Sequence, residues 1–320
     1  MKASVILKDL APFVPALSRF EEPLDLNLVF SGHGKHLDCP TLRLTNHHGL
    51  MIAGEAALSN WDAGMDMYIY GKLGNLTMTK EGINVLMTNL TGKVPPILQR
   101  LDYIRFNGEA AGYLHDLTLT GLFHTGAGMV KTDVMMSIDE QSMSRTYSGS
   151  VASADLDLGK LLNQEKKFGK VDFNVELKGF NYKNRYPESY IKGIISSFEY
   201  SQYQYENIML DGVYKDGGFN GRLSMDDANG SVQIDGNFNV AKTIPDFNLK
   251  ASVKNLRPHD LHLSDKYENA SISLGLTADF TGKSIDDMNG RISLDSLQLN
   301  APDEGGCFLD NLTITCLLYT

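Results

Sequence analysis

The sequence predicts an all-β protein: an elongated, curled antiparallel β-sheet array, groove-like or taco-like, built from irregular repeats with a few short helical turns. Apolar and polar residues alternate strictly over 24–28, 171–178 and 271–280, and a period of two places every apolar side chain on one face of a strand. Asn-Gly and Asp-Gly pairs between such stretches supply the positive φ that tight hairpins require. A similar succession of elements recurs along the chain, which indicates stacked β units.

The other elements follow from weaker forms of the same signals. Further strands are predicted near 36–44, 50–58, 65–70, 83–88, 113–120, 129–138, 191–200, 205–214, 218–225, 231–240, 246–253, 290–299 and 308–315. Turns are predicted at 211–212, 216–218, 228–230 and 289–290. Short helical turns are predicted at 10–17, 95–101 and 156–163. None of these helical turns is long enough to form a packing layer of its own.

The repeat consists of a strand end, a leucine-rich turn and a strongly alternating strand that runs into a glycine. Leu10, Leu156 and Leu256 mark the three copies. Their unequal spacing indicates extra hairpins within 65–125. We therefore predict three domains: 1–150, a β-repeat unit with inserted hairpins; 151–250, a β-repeat unit; and 251–320, a partial unit truncated at its C-terminus. We expect the chain to be an internal segment of a longer β-array.

Composition excludes two classes of protein. The formal net charge is −10, whereas binding to a phosphate backbone needs a positive surface. A hydrophobic content of 42% with 21% charged residues provides enough apolar surface to fold, which argues against disorder. No apolar run reaches the length that a membrane-spanning helix requires.

Reactive side chains do not form a recognisable site. The histidine pairs at 33/36, 47/48 and 259/262 each offer two ligands, fewer than a zinc site needs. Asp226-Asp227 and Asp286-Asp287 adjoin Asn-Gly turns, where such side chains cap the turn backbone. We predict no catalytic residue, metal or cofactor, and no enzymatic activity. Cys307 and Cys316 could be free thiols or could face each other across a hairpin as a disulfide, and both alternatives stay open.

The apolar faces of the alternating strands must be covered in some way. They could form a closed core under a second sheet, or they could line an open trough for acyl chains, and alternation alone favours the closed core. The candidate groove residues are Leu24, Leu26, Leu28, Phe30, Phe173, Val175, Leu177, Ile272, Leu274, Leu276 and Phe280. An alternative function uses Tyr200, Tyr203 and Tyr205 as a sugar-stacking platform in an extracellular or surface adhesin or carbohydrate-binding β-repeat protein.

The repeat resembles the AsmA-like superfamily. The resemblance is carried by 279–292, which reads DFTGKSIDDMNGRI, by 113–121, YLHDLTLTG, and by 125–134, TGAGMVKTDV. Together with the leucine-rich turns these segments look most like the TamB-type translocation and assembly module proteins of Gram-negative bacteria, in the form seen in Bacteroidetes. The likeness covers essentially the whole chain through degenerate motifs.

The resemblance implies a periplasmic segment of a longer protein that is anchored in the inner membrane outside this segment. The implied fold is a curled sheet with a hydrophobic groove. The implied function is sheltering phospholipid acyl chains for transport between the inner and outer membranes, supporting outer-membrane protein assembly and secretion, or both. The implied partners are phospholipid acyl chains, an outer-membrane assembly barrel protein and nascent outer-membrane clients, with no nucleic acid.

Overall fold

The computed structural model describes residues 2–10, 18–21, 23–139, 141–142, 144–181, 188–240, 242–266, 268–283, 287–302 and 305–316. These residues form antiparallel strands, three short α-helices and a few 3-10 turns. The chain packs as two compact units, Met1–Gln141 with Tyr147–Glu165 and Ser142–Thr146 with Lys166–Thr320. This division does not test the predicted repeat units at 1–150, 151–250 and 251–320, which stay a prediction.

The first unit is a meander in which consecutive strands pair. Its strands are β1 (Lys2–Ile6), β2 (Pro23–His33), β3 (His36–Thr45), β4 (Leu50–Ser59), β5 (Tyr68–Thr79), β6 (Tyr103–Tyr113), β7 (Asp116–Thr125), β8 (Gly128–Ile138) and most of β9 (Arg145–Asp157). Its helices are α1 (Lys80–Thr91), α2 (Pro96–Gln99) and α3 (Leu158–Leu162). The helices follow strand ends and form no layer of their own.

The second unit is also a meander of consecutive antiparallel strands. Its strands are β10 (Phe168–Asn181), β11 (Glu188–Tyr200), β12 (Tyr203–Lys215), β13 (Gly218–Asp227), β14 (Gly230–Asn239), β15 (Asp246–Leu256), β16 (Ser271–Thr281), β17 (Asn289–Ala301) and β18 (Gly305–Cys316). The predicted all-β class with antiparallel strands and only short helices is therefore confirmed.

Three local predictions are wrong. The stretch 83–88 is not a strand but lies in α1, because the Thr79 side chain accepts a hydrogen bond from Gly82 N and Gly92 ends the helix in a left-handed conformation. The pair Asp211-Gly212 is not a turn but lies inside β12, and the pair Asn289-Gly290 is not a turn but begins β17 and pairs with β16. The short helices predicted at 95–101 and 156–163 correspond to α2 and α3, and 11–17 lies outside the described residues.

Burial alternates with the sequence in both units, but few strand residues are fully buried. In β14 the positions from Val232 to Phe238 are alternately half-buried and exposed. Most apolar strand residues in the described ranges therefore keep part of their surface exposed.

Many of the fully buried residues of each unit lie at one end of its strands. In the first unit they surround α1 and include Leu50, Met78, Ile83 and Ile104. We call this strand end the covered rim, and the opposite strand end the open rim. In the second unit the covered rim is formed by the connection between β15 and β16, where Leu261 is completely buried. Asn239, Ala278 and Met288 of this unit are also buried, toward the opposite end.

Candidate functional site

The candidate site is the apolar face of each sheet unit. Residues that pair directly across antiparallel strands point to the same face. In the second unit one such row crosses all nine strands and is apolar or glycine throughout. The row is Val175, Gly193, Leu210, Leu223, Ile234, Ala251, Leu276, Leu294 and Leu312. At 4.8 Å between strands it extends for about 40 Å.

A parallel row at the open rim is aromatic over five consecutive strands. Its members are Tyr214, Phe219, Phe238, Phe247 and Phe280, each paired with the next. The rings of Phe247 and Phe280 stack with centroids 4.7 Å apart, and those of Phe219 and Phe238 are 5.8 Å apart. The aromatic row therefore places a ring on each of five consecutive strands at this border of the apolar face.

Glycines lie directly inside the aromatic row, at Gly212, Gly221 and Gly236. A Cβ on Gly212 would come within 2.6 Å of Phe219 Cζ, so the Phe219 ring occupies the space that a side chain would need. The ring thereby compensates for the missing side chain of Gly212.

The first unit repeats this arrangement with different residues. Leu26, Leu44, Ile52, Leu76, Phe106, Phe123 and Val130 form a cross-strand apolar row from β2 to β8. The neighbouring row contains the directly paired Gly108 and Gly121, and the Phe106 ring lies over both, within 2.6 Å of where either Cβ would be. A cavity of ≈ 500 Å³ adjoins this pair and is lined by Gly54, Leu73, Gly108 and Gly121 together with charged Glu55, Lys72 and Glu109.

The eleven sequence-predicted groove residues lie on these apolar faces. Leu24 is buried at the covered rim with 5% of its surface exposed, whereas Phe30, near the open end of β2, is 53% exposed. The other nine are half-buried: Leu26, Leu28, Phe173, Val175, Leu177, Ile272, Leu274, Leu276 and Phe280. The sequence-predicted groove residues include none from the middle of the second unit. The signal that could have identified them is the alternation of apolar and polar residues in β12 to β15.

Half-burial decides between the two packing alternatives for the second unit. Under a second sheet the inner strands would be covered to the level of a protein core. Leu210, Leu223, Ile234 and Leu276 instead keep part of their surface exposed although strands flank them on both sides. Within the described residues the middle of this apolar face is an open surface, with buried residues along the covered rim and at Ala278 and Met288 toward the open rim.

The opposite face of the second unit is polar and carries a ladder of alternating charges. Glu176, Lys192, Asp211, Arg222, Asp235 and Lys250 pair directly across six consecutive strands. Arg222 donates from Nη2 to Asp235 Oδ2 at 2.9 Å, and Lys192 Nζ lies 3.6 Å from Asp211 Oδ2. Because every inner charge of the ladder lies between two opposite charges, the ladder favours one register.

The aromatic run at the start of β12 belongs to the covered rim of the second unit. Tyr205 is 8% exposed, and its hydroxyl donates to Leu261 O at 2.7 Å. The Tyr203 hydroxyl donates to Asp227 Oδ1 at 2.5 Å. Burial and this carboxylate raise the pKa of Tyr203 to about 12. The Tyr200 ring packs against Phe168 and Phe198.

This packing weighs against a sugar platform. A stacking platform must offer ring faces to solvent, and the buried Tyr205 offers none.

The histidine pairs are engaged in separate local contacts. His36 contacts Ser59 Oγ at 2.8 Å and Asp38 Oδ2 at 2.9 Å, and His48 Nδ1 lies 2.7 Å from Glu81 Oε1. Among the residues described, no group of three His, Cys, Asp or Glu side chains could hold a metal ion. Asp227 caps its turn by accepting a hydrogen bond from Asn229 N at 2.9 Å.

The disulfide alternative for Cys307 and Cys316 is wrong. Both lie on the single strand β18 rather than on facing strands of a hairpin. Nine residues of extended chain separate them by about 30 Å, far beyond disulfide range. Both are free thiols, Cys307 exposed and Cys316 half-buried.

Within the described part of the chain, no helix has the length and apolar character needed to cross a bilayer. No family model, no curated protein and no solved structure matches this chain.

Proposed function

We propose that this chain is a non-enzymatic, periplasmic segment of an AsmA-like, TamB-type protein. Its apolar sheet faces would shelter phospholipid acyl chains on their way between the inner and outer membranes. The same surface suits the apolar side of a nascent outer-membrane strand, so a role in outer-membrane protein assembly and secretion is part of the proposal. The observation that supports it most is the apolar row that crosses nine strands of the second unit while staying half-exposed.

The chemistry of this face suits a long, flexible apolar ligand. Each methylene that leaves water gains about 0.8 kcal/mol, and a row of aliphatic side chains offers that gain at every strand. The row contains no charge that would hold a ligand at one position. An acyl chain could therefore shift along the face in small steps of similar energy. The covered rim and the aromatic row border this surface along its two sides.

Native mass spectrometry with lipid extraction tests the proposal on the whole chain expressed in a Gram-negative host. We expect phospholipid to co-purify with the protein. The double variant Leu223→Asp/Leu276→Asp places two charges in the apolar row and should lose most of the bound lipid.

A matched control uses the opposite face of the same sheet. Ile194 and Met209 pair directly on that face and are 38% and 54% exposed. The variant Ile194→Asp/Met209→Asp should keep its lipid, because the charges enter solvent. A folded, lipid-free wild-type chain, or an equal loss in both double variants, would contradict the proposal.

A further inference from the structure

The loop between β4 and β5, residues 60–67, lies at the open rim of the first unit and exposes the chain's single tryptophan. We call it the rim loop. Trp61 is 53% exposed. Tryptophan is an amphipathic side chain that favours the boundary between apolar and aqueous phases. An exposed indole at the open rim therefore has the chemistry of an interfacial anchor.

The rim loop is held in a defined shape by its backbone. Asn60 takes a left-handed conformation with φ 55°, and its N–H donates to Lys35 O at 2.9 Å, which ties the loop to the β2–β3 turn. Ala63 N donates to Asn60 O at 2.8 Å, and a 3-10 turn follows over Gly64–Asp66. Trp61 is thus presented from an ordered turn that can reach a surface without first being reorganised.

One of the two charges of the rim loop is paired nearby. Lys35 Nζ lies 2.8 Å from Asp62 Oδ2, which leaves Asp66 as the single unbalanced charge of the loop. The loop therefore offers Trp61 with little net charge and no excess of positive charge around it, which suits a zwitterionic surface. An anionic surface is disfavoured, because the chain as a whole carries a net charge of −10 and anionic lipids attract basic segments.

Other exposed apolar side chains accompany the open rims. In the first unit Val29 and Phe30, toward the end of β2, are 55% and 53% exposed. In the second unit Val240 and Ile244, between β14 and β15, are 63% and 60% exposed. Exposed apolar residues thus accompany the open rims of both units, and others, such as Leu263 and Ile97, lie at the covered rims.

We propose that the rim loop docks on a zwitterionic phospholipid bilayer by inserting Trp61 at the boundary between headgroups and acyl chains. The open rim of the first unit would then lie against the lipid from which acyl chains enter its apolar face. This inference rests on the proposed function and adds the site of membrane contact to it.

The single tryptophan gives the test a residue-specific readout. The whole chain is mixed with phosphatidylcholine vesicles, and Trp61 fluorescence is recorded with and without brominated acyl chains. We expect an emission shift to shorter wavelength and quenching by the bromine atoms. In flotation assays, Trp61→Ser should lower the vesicle partition coefficient roughly tenfold, since an aromatic side chain of this size dominates interfacial contact.

Met209→Ser is the matched control, because Met209 is 54% exposed on the polar face of the second unit. It should leave flotation unchanged. The inference is overturned if Trp61 emission does not respond to vesicles, if Trp61→Ser floats like the wild type, or if binding requires anionic lipid. A Trp61 response to a protein fraction but not to vesicles would assign the loop to a protein partner and also overturn it.

Lipid retention separates this inference from the proposed function. If Trp61→Ser abolishes flotation while phospholipid still co-purifies, both stand. If phospholipid co-purifies but Trp61 never responds to vesicles, docking fails and the groove stands. If vesicles bind but no lipid is retained in the groove, the proposed function fails.

Discussion

The ring of Phe219 lies over Gly212 on the neighbouring strand, so closely that a Cβ on Gly212 would come 2.6 Å from Phe219 Cζ. Phe106 has the same relationship to Gly121 in the first unit, at 2.4 Å from Cε2. In both units the covered glycine pairs directly with a second glycine, Gly221 or Gly108. A folded-over ring on a cross-strand glycine pair is therefore a device that the two units share.

Gly212→Ala should destabilise the second unit. The new methyl group would meet both the Phe219 ring and Asn220 O at 2.6 Å, and overpacking of this kind costs about 1–3 kcal/mol. Gly275→Ala is the control, because the nearest atoms to its Cβ are 3.5 Å away, and it should leave the free energy of unfolding unchanged or slightly higher. Urea unfolding measures both. Suppose that Phe219→Ala lowers the free energy of unfolding by as much in the Gly212→Ala variant as in the wild type. The Phe219 ring then does not occupy the space that a side chain at position 212 would need.

Exchanging one charge pair of the polar ladder should not restore stability. In Arg222→Asp/Asp235→Arg the pair itself is re-formed, but the new carboxylate at position 222 would face Asp211 and the new guanidinium at position 235 would face Lys250 across the adjacent strands. We expect the exchanged protein to be less stable than the wild type by roughly 0.5–1 kcal/mol in low salt, and by less in high salt. Urea midpoints at two ionic strengths test this. If the exchanged protein is as stable as the wild type in low salt, Arg222 and Asp235 act as an isolated pair.

Ile83→Ala should destabilise the first unit strongly. Ile83 in α1 is 1% exposed, and loss of a buried isoleucine side chain costs about 2–5 kcal/mol. Ile97→Ala in the neighbouring α2, where Ile97 is 47% exposed, should change the free energy of unfolding by less than about 0.5 kcal/mol. Urea unfolding measures both variants. If they lower the free energy of unfolding by similar amounts, packing at the covered rim does not contribute the main stabilisation of this unit.

Stability should fall in alkali partly because of Tyr203. Its folded-state pKa is about 12, above the ordinary value near 10. The unfolded chain therefore loses this proton first, so the contribution is complete below about pH 10 and is lost as pH rises through about 12. Tyr203→Phe should flatten the decline between these pH values. Unfolding midpoints measured across this range for both proteins give the difference, and parallel curves would contradict the assignment.

Alternation in the sequence was sufficient to predict most strands and one face of the candidate site. It failed at α1, because 83–88 contains branched and apolar residues typical of a strand, while the deciding signals are the cap at Thr79 and the end at Gly92. Sequence reasoning had used neither. It failed at Asp211-Gly212 because the pairing of Gly212 with Gly221, and the ring of Phe219 above it, depend on a partner strand.

The covered rims and the exact cross-strand rows could not be predicted for a related reason. Leu261 is completely buried in a connection that shows no apolar period, and its carbonyl accepts a hydrogen bond from Tyr205, which lies far away in the sequence. The rows depend on β-bulges, such as the extra residue in β3 between Cys39 and Leu42. Bulge positions shift the register and leave only weak traces in a single sequence.

Within each unit, strands that are consecutive in the chain pair with each other. The number of strands in a unit can therefore change without rearranging the other pairings. A hairpin added between two strands would change the partners of only the strands that flank it, because the strand registers described within each unit join consecutive strands. Two added strands also restore the original direction of the chain and keep the same face apolar. The apolar face can thus be lengthened or shortened by insertion or deletion of hairpins in steps of about 10 Å.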